Sequence, residues 1–209
     1  MEAVIGTVAA FQGKVHFTYT ESNQEKMCVT DLDFPPPGAG GDPPPSAALR
    51  KFHVPNLEFP GGMCSGKVWL VESQEELLAV GVFFVDFDPD NIGAVRVYKM
   101  DFCDDDDDDN ESRKKEKKKP VGWRMLNSVG DRAFLLSGTN MATWCSAAAA
   151  PRGLIKGNAV YFLKNFWTDD GDLCVYDLEE HNMEIVRVHD QPDLVLPRTK
   201  PYWINVPPS

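Results

Sequence analysis

Basic residues are in short supply in this chain: 21 Lys and Arg stand against 32 Asp and Glu, a formal net charge of −11. A protein holding nucleic acid through phosphate contacts would repel its ligand at that balance, so nucleic acid is not an expected partner. Apolar runs are short as well. None approaches the roughly 20 residues that a membrane helix needs, so no membrane partner is expected. The first residues carry Glu2 where a signal peptide would carry Lys or Arg, and their apolar stretch is broken by Gly6. Cysteine is sparse and poorly spaced for chemistry: Cys28, Cys64, Cys103, Cys145 and Cys174 are odd in number and form no CxxC. Neither a disulfide framework nor a zinc site is supported, and reduced thiols in the cytoplasm or nucleus are the expectation. The four histidines (His16, His53, His181, His189) have no metal spacing. His16 falls on a strand face open to solvent in this reading, and His181 in a hairpin turn. Helical periodicity is also scarce; Ser146–Ala150 tolerates a helix but ends at Pro151 and is too short to be more than a turn.

What recurs instead is the short β run, four to nine residues rich in Val, Tyr, Phe, Leu and Trp between Gly, Pro, Asn or Asp. The runs are Val4–Ala10, Lys14–Tyr19, Lys26–Leu32, Leu49–Val54, Lys67–Glu72, Glu76–Phe84 and Ala94–Phe102. They continue with Val121–Val129, Arg132–Leu136, Met141–Ser146, Asn158–Leu163, Asp172–Leu178 and Met183–Val188. Many short strands separated by turn signals read as all-β. Hydrophobic residues at 43% of 209 are enough for a single domain with a buried core.

Two stretches interrupt the pattern. Residues 35–48 open with PPPGAGGDPPP, which cannot join a sheet, because proline lacks the amide donor and glycine is conformationally too free. Residues 103–120 read CDDDDDDNESRKKEKKKP. Like charges repel within each half, so the expectation is a disordered, solvated Asp/Lys hairpin insertion. The six Asp lack the central Gly and terminal Glu of a calcium loop, and Arg113–Lys119 is similar to a nuclear-import signal.

A hairpin appears twice. Gly13-Lys14-Val15-His16-Phe17 parallels Gly157-Asn158-Ala159-Val160-Tyr161-Phe162, and Met27-Cys28-Val29-Thr30-Asp31-Leu32 parallels Leu173-Cys174-Val175-Tyr176-Asp177-Leu178. In both copies the second strand is expected to stop at its Asp, whose carboxylate can accept turn amides. Four antiparallel strands repeated around a ring make a propeller blade, since stacking covers both faces of each sheet. The repeat alone leaves a propeller and a sandwich or other barrel open; joined to the family resemblance of the segments quoted below, the fold expectation is a partial β-propeller of about two and a half four-stranded antiparallel blades. Exposed strand edges in such a piece invite self-association.

Candidate chemistry is thin. Gly61-Gly62-Met63-Cys64-Ser65-Gly66-Lys67-Val68 nearly fits a phosphate-binding loop, but Val68 stands where the Mg²⁺-binding hydroxyl belongs and a strand follows in place of a helix. A loop before a strand is the better reading. GxSxG is absent. No catalytic residue, cofactor or metal is assigned, and the chain is not expected to be an enzyme. Trp69 and Trp123 read as core. Trp167, with Phe166, precedes Asp169-Asp170-Gly171 and is the candidate partner-binding anchor, because aromatic anchors dominate protein interfaces.

Val71-Glu72-Ser73 with Glu76-Leu77-Leu78-Ala79-Val80 is followed by Val97-Tyr98-Lys99-Met100-Asp101, then by Trp123 with Ser128-Val129-Gly130-Asp131-Arg132-Ala133-Phe134-Leu135. After these come Gly157–Phe162, Val175–Glu179 and Pro201-Tyr202-Trp203. In this order the segments resemble the plant KIB-type F-box-associated β-propeller family, a kelch-like domain of unknown function, and the one with Trp123 is the most specific. The resemblance covers the C-terminal half of that propeller, with the F-box absent. It implies a protein-interaction module like the substrate-recognition part of a ubiquitin-ligase adaptor, with an unknown protein client and no direct ligase contact. The alternatives are a small-molecule-binding or enzymatic β domain, or an inactive truncated product.

Overall fold

The computed structural model describes residues 4–12, 14–21, 24–33, 49–104, 118–138, 141–151, 153–164 and 172–186. The Pro-rich loop (35–48), most of the Asp/Lys insertion, Phe166, Trp167 and Pro201–Trp203 lie outside them. Among the described residues there are thirteen strands and no helix, and each strand overlaps one of the β runs above, with β5 starting four residues earlier and β8 shifted by three. The strands are β1 (Val4–Phe11), β2 (Lys14–Glu21), β3 (Gln24–Asp33), β4 (Leu49–His53), β5 (Met63–Ser73), β6 (Glu76–Val85) and β7 (Ile92–Asp104). They continue with β8 (Lys118–Leu126), β9 (Arg132–Leu136), β10 (Ala142–Ser146), β11 (Ala159–Leu163), β12 (Leu173–Asp177) and β13 (Asn182–Val186).

They form three sheets: β1-β2-β3-β4, β5-β6-β7-β8 and β10-β9-β11-β12-β13. The first two are up-and-down meanders, as the spacing of turn signals required. β7 and β8 run two or three residues into the stretch assigned to the charged insertion. By contacts the chain divides into two compact units. One holds Met1–Glu58, Leu70–Ala79 and Tyr98–Met125; the other holds Phe59–Trp69, Val80–Val97 and Leu126–Ser209. The strands β5, β6 and β7 each run from one unit into the other.

In the first unit, β1 pairs antiparallel with β2, and a register shift falls between Ile5 and Val8. The bulge follows from Gly6, where a Cβ would lie 2.9 Å from Thr18 Oγ1. It aims the Thr7 hydroxyl at β5, where the oxygen accepts the Leu70 amide at 2.8 Å. One main-chain donor of a sheet edge is thereby satisfied. His16 is buried, not exposed as expected. Its ring packs edge-on to Phe11 at 5.5 Å, with Phe102 at 6.4 Å. The repeated Asp also behaves differently in this copy: β3 runs past Asp31 to Asp33, with Asp31 in register between His16 and Arg50. An ion pair between Lys99 and Glu76 (2.5 Å) and a two-pronged one between Arg124 and Asp101 (3.1 Å each) brace β6, β7 and β8.

In the second unit the core is aromatic and aliphatic. Trp69, Phe83, Phe134 and Phe162 are fully buried. Each buried large side chain contributes about 1.5–3 kcal/mol of transfer free energy. Gly66 is a strand residue: a Cβ there would fall 2.9 Å from both the Phe83 ring and the Val82 carbonyl. The near phosphate-loop segment is thus mostly β5 itself, and its glycine admits a phenylalanine, not a phosphate. Lys67 donates to the Gly138 carbonyl at 2.7 Å and lies 5.1 Å over the Trp69 ring, whose Nε1 donates to the Ser137 carbonyl at 3.0 Å. Burial lowers the Lys67 amine below its ordinary value.

The third sheet departs from a plain meander. β9 and β11 are parallel neighbours, in register from Ala133↔Ala159 to Leu136↔Phe162. A parallel pair cannot be joined by a tight turn. The chain makes the return by folding β10 back along the outer side of β9 and carrying residues 147–158 around the sheet end. β11, β12 and β13 then follow as antiparallel neighbours.

Candidate functional site

Because β9 and β11 run the same way, their N-terminal ends share one rim of the third sheet with the C-terminal ends of β10 and β12 and the start of β13. Three turns meet there: 127–131, 147–158 and 178–181. They contain Ser128, Asp131, Lys156, Asn158, Glu179 and Glu180, with Arg132, Ser146 and Asp177 at the adjoining strand ends. All lie in the second unit.

Asn158 ties the rim together. It adopts φ = +53°, a left-handed conformation that Asn tolerates better than most residues. Its Oδ1 accepts the Val129 amide at 2.9 Å and the Ser128 hydroxyl at 3.2 Å, while its carbonyl accepts the Leu178 amide at 3.0 Å. The preceding Gly157 packs on the neighbouring turn. A Cβ there would sit 3.1 Å from Asp131 Cα and 3.2 Å from the Gly130 carbonyl. Two segments of the family resemblance, 128–135, the most specific, and 157–162, are therefore two halves of one clasp.

The two aspartates of the rim are occupied by their own chain. Asp131 Oδ2 accepts the Ser146 hydroxyl, and Oδ1 accepts the Ala148 amide at 3.0 Å. Asp177 is buried; its Oδ1 accepts the amides of Glu179 at 2.8 Å and Glu180 at 3.0 Å. The Lys156 ammonium pairs with Asp177 Oδ2, and the Lys156 amide donates to the Tyr161 hydroxyl at 2.6 Å. The hydrogen bond from Lys156, with the turn amides, holds the Asp177 carboxyl below its ordinary value; the same bond raises Lys156. This is the strand-stopping role expected for the repeated Asp, realised in the second copy. The sheet faces behind the rim hold two thiols. Burial pushes Cys174 up to about 11, and burial with the nearby Asp131 carboxylate raises Cys145.

The rim thus engages Asp131, Asp177 and Lys156 within its own chain. Leu154 projects from it, 71% exposed, in a turn where Gly153 has φ = +81° and the Leu154 amide donates to Pro151 O at 3.1 Å. Lys156 follows two residues on in the same turn, and the exposed Glu179 and Glu180 lie in the turn 178–181. Antiparallel alternation places the β6–β7 turn at the end of the middle sheet from which β8 leads into this rim. That turn displays Phe87, 70% exposed, beside Asp86, Asp88 and Asp90. Among the described residues no group of three or more His, Cys, Asp or Glu is arranged to hold a metal ion.

Sequence reasoning missed Asn158, Lys156 and Leu154. Asn after Gly at a strand start was an available signal for a left-handed residue; nothing local marks Leu154 as exposed. His181 lies in the β12–β13 turn as expected, with φ = +53°.

Blade-like four-stranded meanders, with β6 buried on both faces, make the chain an all-β protein of the propeller class. The KIB1-4 beta-propeller family model matches residues 4–177, and the chain belongs to that family. No curated protein and no solved structure matches the chain significantly.

Proposed function

We propose that this chain is a protein-interaction module that recognises a protein client through the turn-built rim of its third sheet, in the manner of the substrate-recognition propeller of plant F-box proteins. Membership of a propeller family supports the interaction role, because such folds present loops on a rigid scaffold. The observation that carries the reading is the rim itself. Its aspartates are engaged by turn amides and by Lys156, which fixes the turns and leaves Leu154, Glu179 and Glu180 for a partner. A cytoplasmic or nuclear location belongs to the same proposal.

Affinity purification of the tagged 209-residue chain from plant cells, with and without an added F-box partner, tests it. The reading expects a reproducible client and no ligase scaffold subunit with the chain alone. Recovery of the scaffold by this chain alone overturns the expectation of no direct ligase contact, and no client in either arm overturns the whole.

A further inference from the structure

Every sheet edge among the described residues carries a device against edge-to-edge pairing, with one exception. β1 is bulged at Gly6–Thr7. β4 contains Arg50 and Lys51, β5 contains Lys67 and Glu72, and β13 contains Glu184. β8 contains Lys118, Lys119, Pro120 and Arg124. Bulges, charges and proline are the usual means by which edges are blunted. β10 reads Ala-Thr-Trp-Cys-Ser, with no charge, no proline and no register shift along its pairing with β9.

The direction of its free main-chain groups follows from the ladder. The Ser137 amide donates to Met141 O at 2.9 Å and the Ala147 amide to Asp131 O at 3.0 Å, on either side of the pairs Ala142↔Leu136 through Ser146↔Arg132. In an antiparallel ladder, bonded residues alternate. Residues 141, 143, 145 and 147 therefore bond to β9, and Ala142, Trp144 and Ser146 turn their amides and carbonyls away from it. Of these groups the Ser146 carbonyl accepts Ala149 N at 3.2 Å within its own turn. Trp144, half-buried, sits at the middle of the outward set.

We propose that β10 is a self-association site at which two copies of this chain pair antiparallel about a twofold axis through Trp144. That register exchanges both main-chain bonds of Trp144 with its own counterpart and sets Ala142 opposite Ser146 of the second copy. It also sets the two indole rings side by side, where aromatic pairs contribute. A second copy is the occupant that fits, because the edge is self-complementary under a twofold. Charge points the same way. Self-pairing of β13 or β8 would bring Glu184 or Arg124 toward its own like charge, whereas β10 brings none, which matters in a chain of net charge −11. The inference does not rest on the client-binding role; the β10 edge meets the rim at Ser146, while the proposed axis at Trp144 lies outside the rim turns.

Sedimentation velocity of the full chain across a micromolar concentration series tests it, with Ala142→Pro, Trp144→Lys and Glu184→Gln alongside. Ala142→Pro removes an outward donor and leaves every bond to β9. The expected result is a concentration-dependent dimer. Ala142→Pro weakens it about tenfold or more, from one lost bond per copy. Trp144→Lys abolishes it by opposing like charges, and Glu184→Gln leaves it unchanged. If Ala142→Pro fails to fold by circular dichroism, Trp144→Lys, which keeps every main-chain donor, decides. A monomer at all concentrations, an open-ended polymer, or a dimer indifferent to Trp144→Lys overturns the proposal.

Discussion

The side-chain oxygen of Asn158 accepts the main-chain amide of Val129 at 2.9 Å, fastening the start of β11 to the link that precedes β9. Two parallel neighbours, paired along their own ladder, are thus clasped at their starts by one amide side chain.

Substitutions at Asn158 separate its two contributions. Asn158→Gly keeps the left-handed backbone and loses the acceptor, which leaves the Val129 amide unsatisfied at a cost of about 1–3 kcal/mol. Asn158→Ala loses the acceptor and adds roughly 1 kcal/mol of left-handed strain. Asn158→Asp retains an acceptor and falls nearest the parent. Urea unfolding of the three variants checks the order Asp, Gly, Ala.

Gly157→Ala forces a methyl against main-chain atoms of Gly130 and Asp131 at 3.1–3.3 Å. Main chain yields less readily than a side chain, so the expected loss is about 1–3 kcal/mol. Phe134→Ala, in the fully buried core, is expected to cost about 3–5 kcal/mol. Ile185→Ala, 42% exposed on β13, stays within about 0.5 kcal/mol. Thermal and urea melts of this trio test whether the third sheet is buried where the fold puts it.

The Asp177–Lys156 pair gives the fold a pH signature of known sign. The Asp177 carboxyl is depressed in the folded chain, so its stabilisation is fully present above the ordinary value of 3.8 and is lost as pH falls through the folded value. The Lys156 amine is raised, so its share is present below the ordinary 10.5 and is lost as pH climbs through the folded value. Asp177→Asn should weaken the chain at pH 7 and flatten the acid limb of the stability profile. Equal acid sensitivity in parent and variant contradicts the pairing.

Cys174 is fully buried with its thiol pushed up to about 11, whereas Cys103 is exposed. At pH 8 iodoacetamide should label Cys103 in the native chain and Cys174 only after unfolding, because the thiolate is the nucleophile. A folded thiol that ionises later than the ordinary 9.0 also makes stability fall as pH rises from 9 through about 11. Peptide mapping after timed alkylation reads the first effect. Native labelling of Cys174 at the rate of Cys103 would contradict its burial.

The strands were legible because their signal is local: apolar and aromatic residues bounded by Gly, Pro, Asn or Asp mark a strand wherever it pairs. Both copies of the repeated hairpin pair as expected, β2 with β3 and β11 with β12. Pairing across the chain is a different matter. Nothing in Arg132–Leu136 or Ala159–Leu163 announces that they run parallel, since buried strands look alike whichever neighbour they choose. The expected two and a half blades accordingly resolve into three sheets, the last with a fold-back strand. His16 alternates like a solvent-facing residue but meets Phe11 and Phe102, and Phe102 lies 86 positions further along the chain. The clasp at Asn158 was half legible, as Gly-Asn before a β run; its partner turn was visible only as part of a family resemblance.

The role assigned to the rim is tested most directly by comparing what the chain captures before and after Leu154→Asp. The substitution lies at an exposed turn and leaves the hydrogen bonds of Asp131, Asn158 and Asp177 in place. Quantitative mass spectrometry of the captured proteins should show client recovery falling at least about tenfold at unchanged circular dichroism, the loss expected when a central apolar anchor is replaced by a charge. Undiminished recovery of the same client would mean that it is held elsewhere, and the rim would then be structure alone.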